Sequence, residues 1–122
     1  MISKFEGLPE NVAAYRASGE VTREDYEKTL IPDVEDKLEH HEKIRLLYYL
    51  GPEFKGFTAG AMWDDTKVGL KHIGSWDKVA MVTDVPWLRN TVKCLGFVIP
   101  GKVKIFHNAE LDQAKDWITS HN

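Results

Sequence analysis

Asp65 and His72 are seven residues apart, a spacing that places both on one face of a regular helix. There a carboxylate can orient the imidazole or hold it charged. No nucleophile accompanies the pair, so it is not a triad. A surface ion pair explains it as well, with Asp64 capping a second helical piece. Asp65 and His72 are carried forward as a candidate polar site. The adjacent His40 and His41 project about 100° apart on a helix and do not grip one metal together. Flanked by Glu39 and Glu42, they read as a solvated helix end. Gly56 and Gly60 follow a strand and open a helix, where free N–H groups can hold a phosphate. Two glycines serve a turn and close packing equally well. Cys94 reads as a small core residue late in a helix, and Asp84 as a helix N-cap. The chain has no GxSxG, Walker A, GxGxxG, CxxC or HExxH pattern. We therefore expect no catalytic residue, no metal ligand and no cofactor.

Aromatic and apolar residues give the stronger signal. Phe54, Phe57, Met62, Trp63 and Trp76 fall in and around one connection, and Trp87, Phe97, Val98 and Ile99 belong to the next. Four tryptophans serve one chain of 122 residues. Core packing accounts for such residues in general. Their concentration in two consecutive connections opens a ligand site as the alternative to core packing.

The elements that must position these side chains follow from patterning. Met1 to Phe5 reads as a short edge strand and Val12 to Ser18 as a second strand, closed by Gly19. Thr22 opens a helix, with Asp25 placed for a capping box. Tyr26, Leu30, Val34 and Leu38 form its apolar stripe, and Pro32 kinks or splits it. Ile44 to Leu50 and Lys78 to Thr83 read as strands buried on both faces, the first stopped by Gly51-Pro52. A helix covers about Thr58 to Ile73. Another starts at Asp84, with Pro86 in its first turn, and stops at Gly96. Lys102 to Phe106 is an alternating strand. Asn108 caps a last helix in which Leu111, Ala114 and Ile118 face inward beside Trp117. This β-β-α-β-α-β-α-β-α order implies an α/β fold with a mainly parallel sheet covered on both faces.

Length and composition fit one domain over residues 1–122, with 43% hydrophobic and 29% charged residues. A formal net charge of −3 speaks against nucleic acid as a partner. The single cysteine fits a reducing compartment. No signal peptide and no apolar stretch of membrane-spanning length is visible, so a cytoplasmic location is expected.

Several stretches together resemble the bacterial SpoIIAA-like family over essentially the whole chain. They are GLPENV, ASGEVTREDY, IRLLYYL, WDDTKVGLKHIGSWDKVAMVTDVPW and KIFHNAELDQAKDWI. The resemblance implies a STAS-like or CRAL-TRIO-like mixed five-stranded sheet with helices on both faces. It also implies a strand order in which Val12–Ser18 lies between Ile44–Leu50 and Lys78–Thr83, with Met1–Phe5 on the outer edge beside Ile44–Leu50. The order then reverses at Val12–Ser18, and ligands of open α/β sheets bind at such a reversal. Right-handed crossovers would set the Thr22 helix on one face and the next two helices on the other. A groove between those two would be lined by Met62, Trp63, Leu70, Leu88 and Leu95. STAS domains of the anti-sigma-antagonist type carry a phosphorylatable serine after the middle strand; here Thr58 is the only hydroxyl in GPEFKGFTAGAMWDD.

Two functions remain. The first is a non-enzymatic module binding an apolar or amphipathic, lipid-like molecule, with transient peripheral membrane contact and a conformational switch. Its candidate ligand contacts are Phe54, Phe57, Met62, Trp63, Leu70, Trp76, Trp87, Leu88 and Leu95. The second is a STAS-like interaction domain whose partner is another protein or a second copy of the chain.

Overall fold

The computed structural model describes residues 1–120. Its elements are β1 (Ile2–Lys4), β2 (Val12–Val21), α1 (Arg23–Asp25), a π-turn (Tyr26–Leu30), α2 (Ile31–His40) and β3 (Ile44–Phe57). There follow α3 (Ala59–Lys71), a 3-10 turn (Ile73–Ser75), β4 (Trp76–Thr83), α4 (Pro86–Leu95), β5 (Lys102–Phe106), a 3-10 turn (Asn108–Glu110) and α5 (Leu111–Thr119). The five strands form one mixed sheet, with β1 antiparallel to β2 and every other pair parallel.

The strand order is β1-β2-β3-β4-β5, the order of the chain. This corrects the expected arrangement with Val12–Ser18 in the middle. No reversal exists, and no crevice at one. The consequence for the helices is direct. All three parallel crossovers step in the same direction, so right-handedness sends α2, α3 and α4 to the same face of the sheet. Their buried residues join one core with Tyr15, Tyr48 and Val79, whereas α5 packs on the opposite face against Val12, Leu47, Ala80, Val82 and Phe106. The helix entered at Thr22 therefore sits beside α3 and α4, not across the sheet from them.

Local chemistry explains the first helix. Thr22 Oγ1 accepts the Asp25 N–H at 3.3 Å, while the Thr22 N–H donates to Asp25 Oδ2 at 2.8 Å, completing the capping box. Pro32 has no N–H, and its ring would crowd the carbonyl four residues back. The chain answers by widening one turn: the Ile31 N–H reaches back to the Tyr26 carbonyl, and α2 starts with proline in its first turn.

Ile44, Leu47, Tyr48 and Leu50 are buried in the middle strand. Gly51-Pro52 does not end that strand, contrary to expectation. β3 continues to Phe57, with Gly19 opposite Phe54 and Val21 opposite Phe57 beyond a register shift. The segment Gly51 to Phe57 is thus sheet rather than loop. Lys78, at 2% exposure, is tied down by α5: its Nζ donates to Trp117 O at 3.1 Å, Ser120 O at 3.0 Å and Ser120 Oγ at 2.8 Å. Arg45 donates to the carbonyls of Ile118 and Ser120 beside it. Two cations therefore satisfy the end of α5, where the carbonyls lack helical partners and the dipole is negative.

Two expected caps move. α4 is capped by Val85, with Pro86 at its first position. Asp84 reaches away from it, accepting from the Asn108 N–H and pairing with His107 Nδ1, each at 3.0 Å. The Asn108 N–H, foremost, and His107 hold the Asp84 carboxyl below its ordinary value. His107, not Asn108, begins the last helical stretch, with its own capping box to Glu110. Cys94 is exposed instead of buried, because Leu88 and Val92 supply the inward stripe of α4.

Candidate functional site

α3 and α4 scarcely touch one another; α3 leans on α1 and the π-turn, and α4 on β5 and β4. Between them and the sheet lies a cavity of about 450 Å³, within the size range of small-molecule sites. Strand register builds its floor. Leu46 aligns with Val79 and Val79 with Val103; Tyr48 aligns with Met81 one step further along. Side chains two apart share a face, so these rows present one apolar surface. Leu30 and Val34 form a side wall from the first helix, which only the shared helix face makes possible.

Of the residues singled out from sequence, Phe57, Met62, Asp65, Leu70, Trp76, Trp87, Leu88 and Leu95 line this cavity. Met62, Leu70, Trp87 and Leu95 are also substantially exposed, which marks its mouth between α3 and α4. Phe54 does not line it; its ring packs at 4.9 Å on Phe57. Trp63 faces outward at 60% exposure. A spacing of seven does not bring Asp65 and His72 together. His72 ends α3 in a non-helical conformation and borders a separate cleft of about 150 Å³ with Glu35, Asp64, Lys67 and Lys71. Asp64 is buried; its Oδ2 has no hydrogen bond, and Arg23 Nε stands 4.0 Å away.

Asp65 instead meets two tyrosines from other elements. Tyr26 Oη donates to Asp65 Oδ1 at 2.7 Å, and lies 2.9 Å from Tyr48 Oη. A phenol has one proton to give. Tyr26 gives its proton to Asp65, so Tyr48 donates to Tyr26, and the chain of donors points at the carboxylate. The widened turn before Pro32 presents Tyr26, β3 presents Tyr48, and α3 presents Asp65. The carboxyl borders the cavity, within reach of a small molecule, on a residue that keeps contact with solvent. Partial desolvation raises it above the ordinary carboxylate value, against the opposing Tyr26 hydrogen bond. Burial, foremost, likewise pushes the Tyr26 and Tyr48 hydroxyls up, so both stay neutral donors.

Sequence reasoning missed Tyr26, Tyr48 and the α2 wall. Tyr26 was visible only as one member of an apolar stripe, and nothing local links it to Asp65, 39 positions on. Thr58 caps α3, its Oγ1 accepting the Ala61 N–H at 3.1 Å. Among the described residues no cluster of three or more His, Cys, Asp or Glu could hold a metal ion.

Residues 12–119 match the family model described as SpoIIAA-like. Among solved structures, an uncharacterised protein of the DUF3478 family with a SpoIIAA-like fold, from Shewanella loihica PV-4, is similar. It superposes with a TM-score of 0.77 at 28% identity, over 96% of this chain and 93% of that one. No curated protein matches the chain at a significant level. With the five-stranded sheet and a model match running from β2 to the end of α5, this chain belongs to the SpoIIAA-like family.

Proposed function

We propose that this STAS-like domain is a non-enzymatic binding module for an apolar or amphipathic small molecule held between α3 and α4. The observation that carries this reading is the cavity itself: about 450 Å³, floored by Leu46, Val79, Met81 and Val103. Apolar surface of that extent left unfilled between two helices loses packing contacts on every side, and an apolar ligand restores them. A flat apolar face without a cavity would have favoured a protein partner instead.

Met62, Leu70, Trp87 and Leu95 at the mouth offer a surface for transient contact with a membrane, from which such a ligand is taken. Among the described residues no helix is long and apolar enough to cross a membrane. The second reading, a protein-interaction domain, draws on different residues. Trp63 and Phe97, at 60% and 90% exposure, lie outside the cavity and would serve a partner's surface.

Native mass spectrometry of the protein purified from its own host tests the first reading. The expected result is a co-purifying mass in the range of a single-chain lipid, lost on mild denaturation. A bare mass, with no change in tryptophan fluorescence on adding alkyl amphiphiles of any head group, would sink it.

A further inference from the structure

Among the residues lining the cavity, Asp65 and Tyr48 alone can ionise, and no Lys, Arg or His is present. We propose that the ligand is a single-chain amphiphile with a cationic amine head, its ammonium on the Asp65 carboxylate and its chain lying between α3 and α4. This rests on the cavity being a ligand site, as proposed above.

Three observations converge on it. The first is charge. A fatty-acid carboxylate or a phosphate carried to Asp65 would meet a like charge with no cation among the lining residues to offset it. An ammonium there forms an ion pair whose two members are both hydrogen-bonded. The second is the direction of the hydrogen bonds. Tyr48 and Tyr26 send their protons toward Oδ1. A carboxylate only accepts, so a ligand group that meets the free side of Asp65 is a donor. Thr66 and Thr91, the two other polar side chains on the wall, do not supply it. Their hydroxyls donate to Met62 O at 3.0 Å and Trp87 O at 2.8 Å within their own helices. The third is size. At about 30 Å³ per water-sized group, 450 Å³ admits roughly 15 such groups, one chain rather than two.

The groups facing Asp65 are Tyr26 from the π-turn and Tyr48 from β3; α4 contributes no titratable side chain to the lining. Acidification therefore acts on the pair through Asp65 itself.

The experiment titrates the full chain with dodecylamine, dodecanol and dodecanoate, each below its micelle concentration, by calorimetry and tryptophan fluorescence at neutral pH. The amine should bind about tenfold or more tightly than the acid. Asp65→Asn should abolish that preference while leaving dodecanol within about twofold. Glu53→Gln removes the same charge at an exposed site of β3 and should leave the preference intact. Retained dodecanol binding shows that Asp65→Asn is folded, so the outcome does not hang on that variant's stability. Equal affinities, a preference for the acid, or a preference that survives Asp65→Asn would overturn the amine assignment alone. If none of the three amphiphiles binds, the binding-module reading falls, and the amine assignment falls with it.

Discussion

Replacing Asp65 with asparagine keeps an acceptor for the Tyr26 hydroxyl and removes the charge. Burial raises the Asp65 carboxyl above its ordinary value of 3.8, so ionisation is harder in the folded chain than in the unfolded one. Such a group does no harm to stability below 3.8, where both states hold the proton, and weakens the fold as pH rises through the raised native value. Asp65→Asn should therefore leave the melting temperature unchanged or slightly raised at neutral pH, with any gain vanishing as pH falls below the ordinary carboxylate value. Thermal unfolding of both proteins across that range checks it; a variant less stable at neutral pH would count against a desolvated carboxylate. The residue was legible as chemistry in the sequence, but its partner was not. Spacing ties Asp65 to His72, whereas the fold ties it to Tyr26 and Tyr48, and no periodicity links residues on three separate elements. Cys94 fails for the opposite reason. A general tendency of cysteines to be buried was applied to a position that the Leu88 and Val92 stripe of α4 turns outward.

At the scale of elements, α3 stands apart. Only Ala61 and Asp64 of its 13 residues are buried, so burial anchors it at two points. It carries Gly60 and Gly69, each costing about 1 kcal/mol of helix propensity, and spans the mouth of the cavity. Its amides from Ala59 to Lys71 should exchange much faster than those of Ile44 to Leu50, and should slow when an apolar ligand fills the space beneath. Equal protection in the two segments, with no response to ligand, would remove any role for α3 as a lid. The elements themselves were largely readable. IRLLYYL and KVAMVT fall in two of the three strands flanked on both sides by others, and the Thr22 capping box is where its residues put it. Boundaries erred where punctuation was taken at face value. Gly51-Pro52 interrupts pairing without ending β3, because a register shift absorbs the irregularity and the strand resumes opposite Gly19 to Val21.

For the molecule as a whole, the order of the strands could not be read from patterning. A strand buried on both faces looks the same in the middle of a sheet as one place from its edge, so alternation and composition are silent on which neighbour lies on which side. That one property decides which helices share a face, and hence whether a cavity between α2, α3 and α4 can exist at all. It also bears on how the protein comes into being. Because spatial order repeats chain order, each parallel strand leaves the ribosome after the strand it pairs with, and no strand waits for a later one to be inserted beside it. The sheet can grow outward from β2 by successive addition, with short crossovers keeping loop-closure costs low. Only the second face stays open until α5 emerges, since α5 follows every strand and packs on the cluster of Leu47, Ala80 and Val82. A nascent chain stalled with Thr83 clear of the exit tunnel should already protect Val12 to Leu50 from protease, and protection should become full only once Ile118 emerges. Uniform susceptibility until that final turn would show instead that the strands wait for α5 and close together.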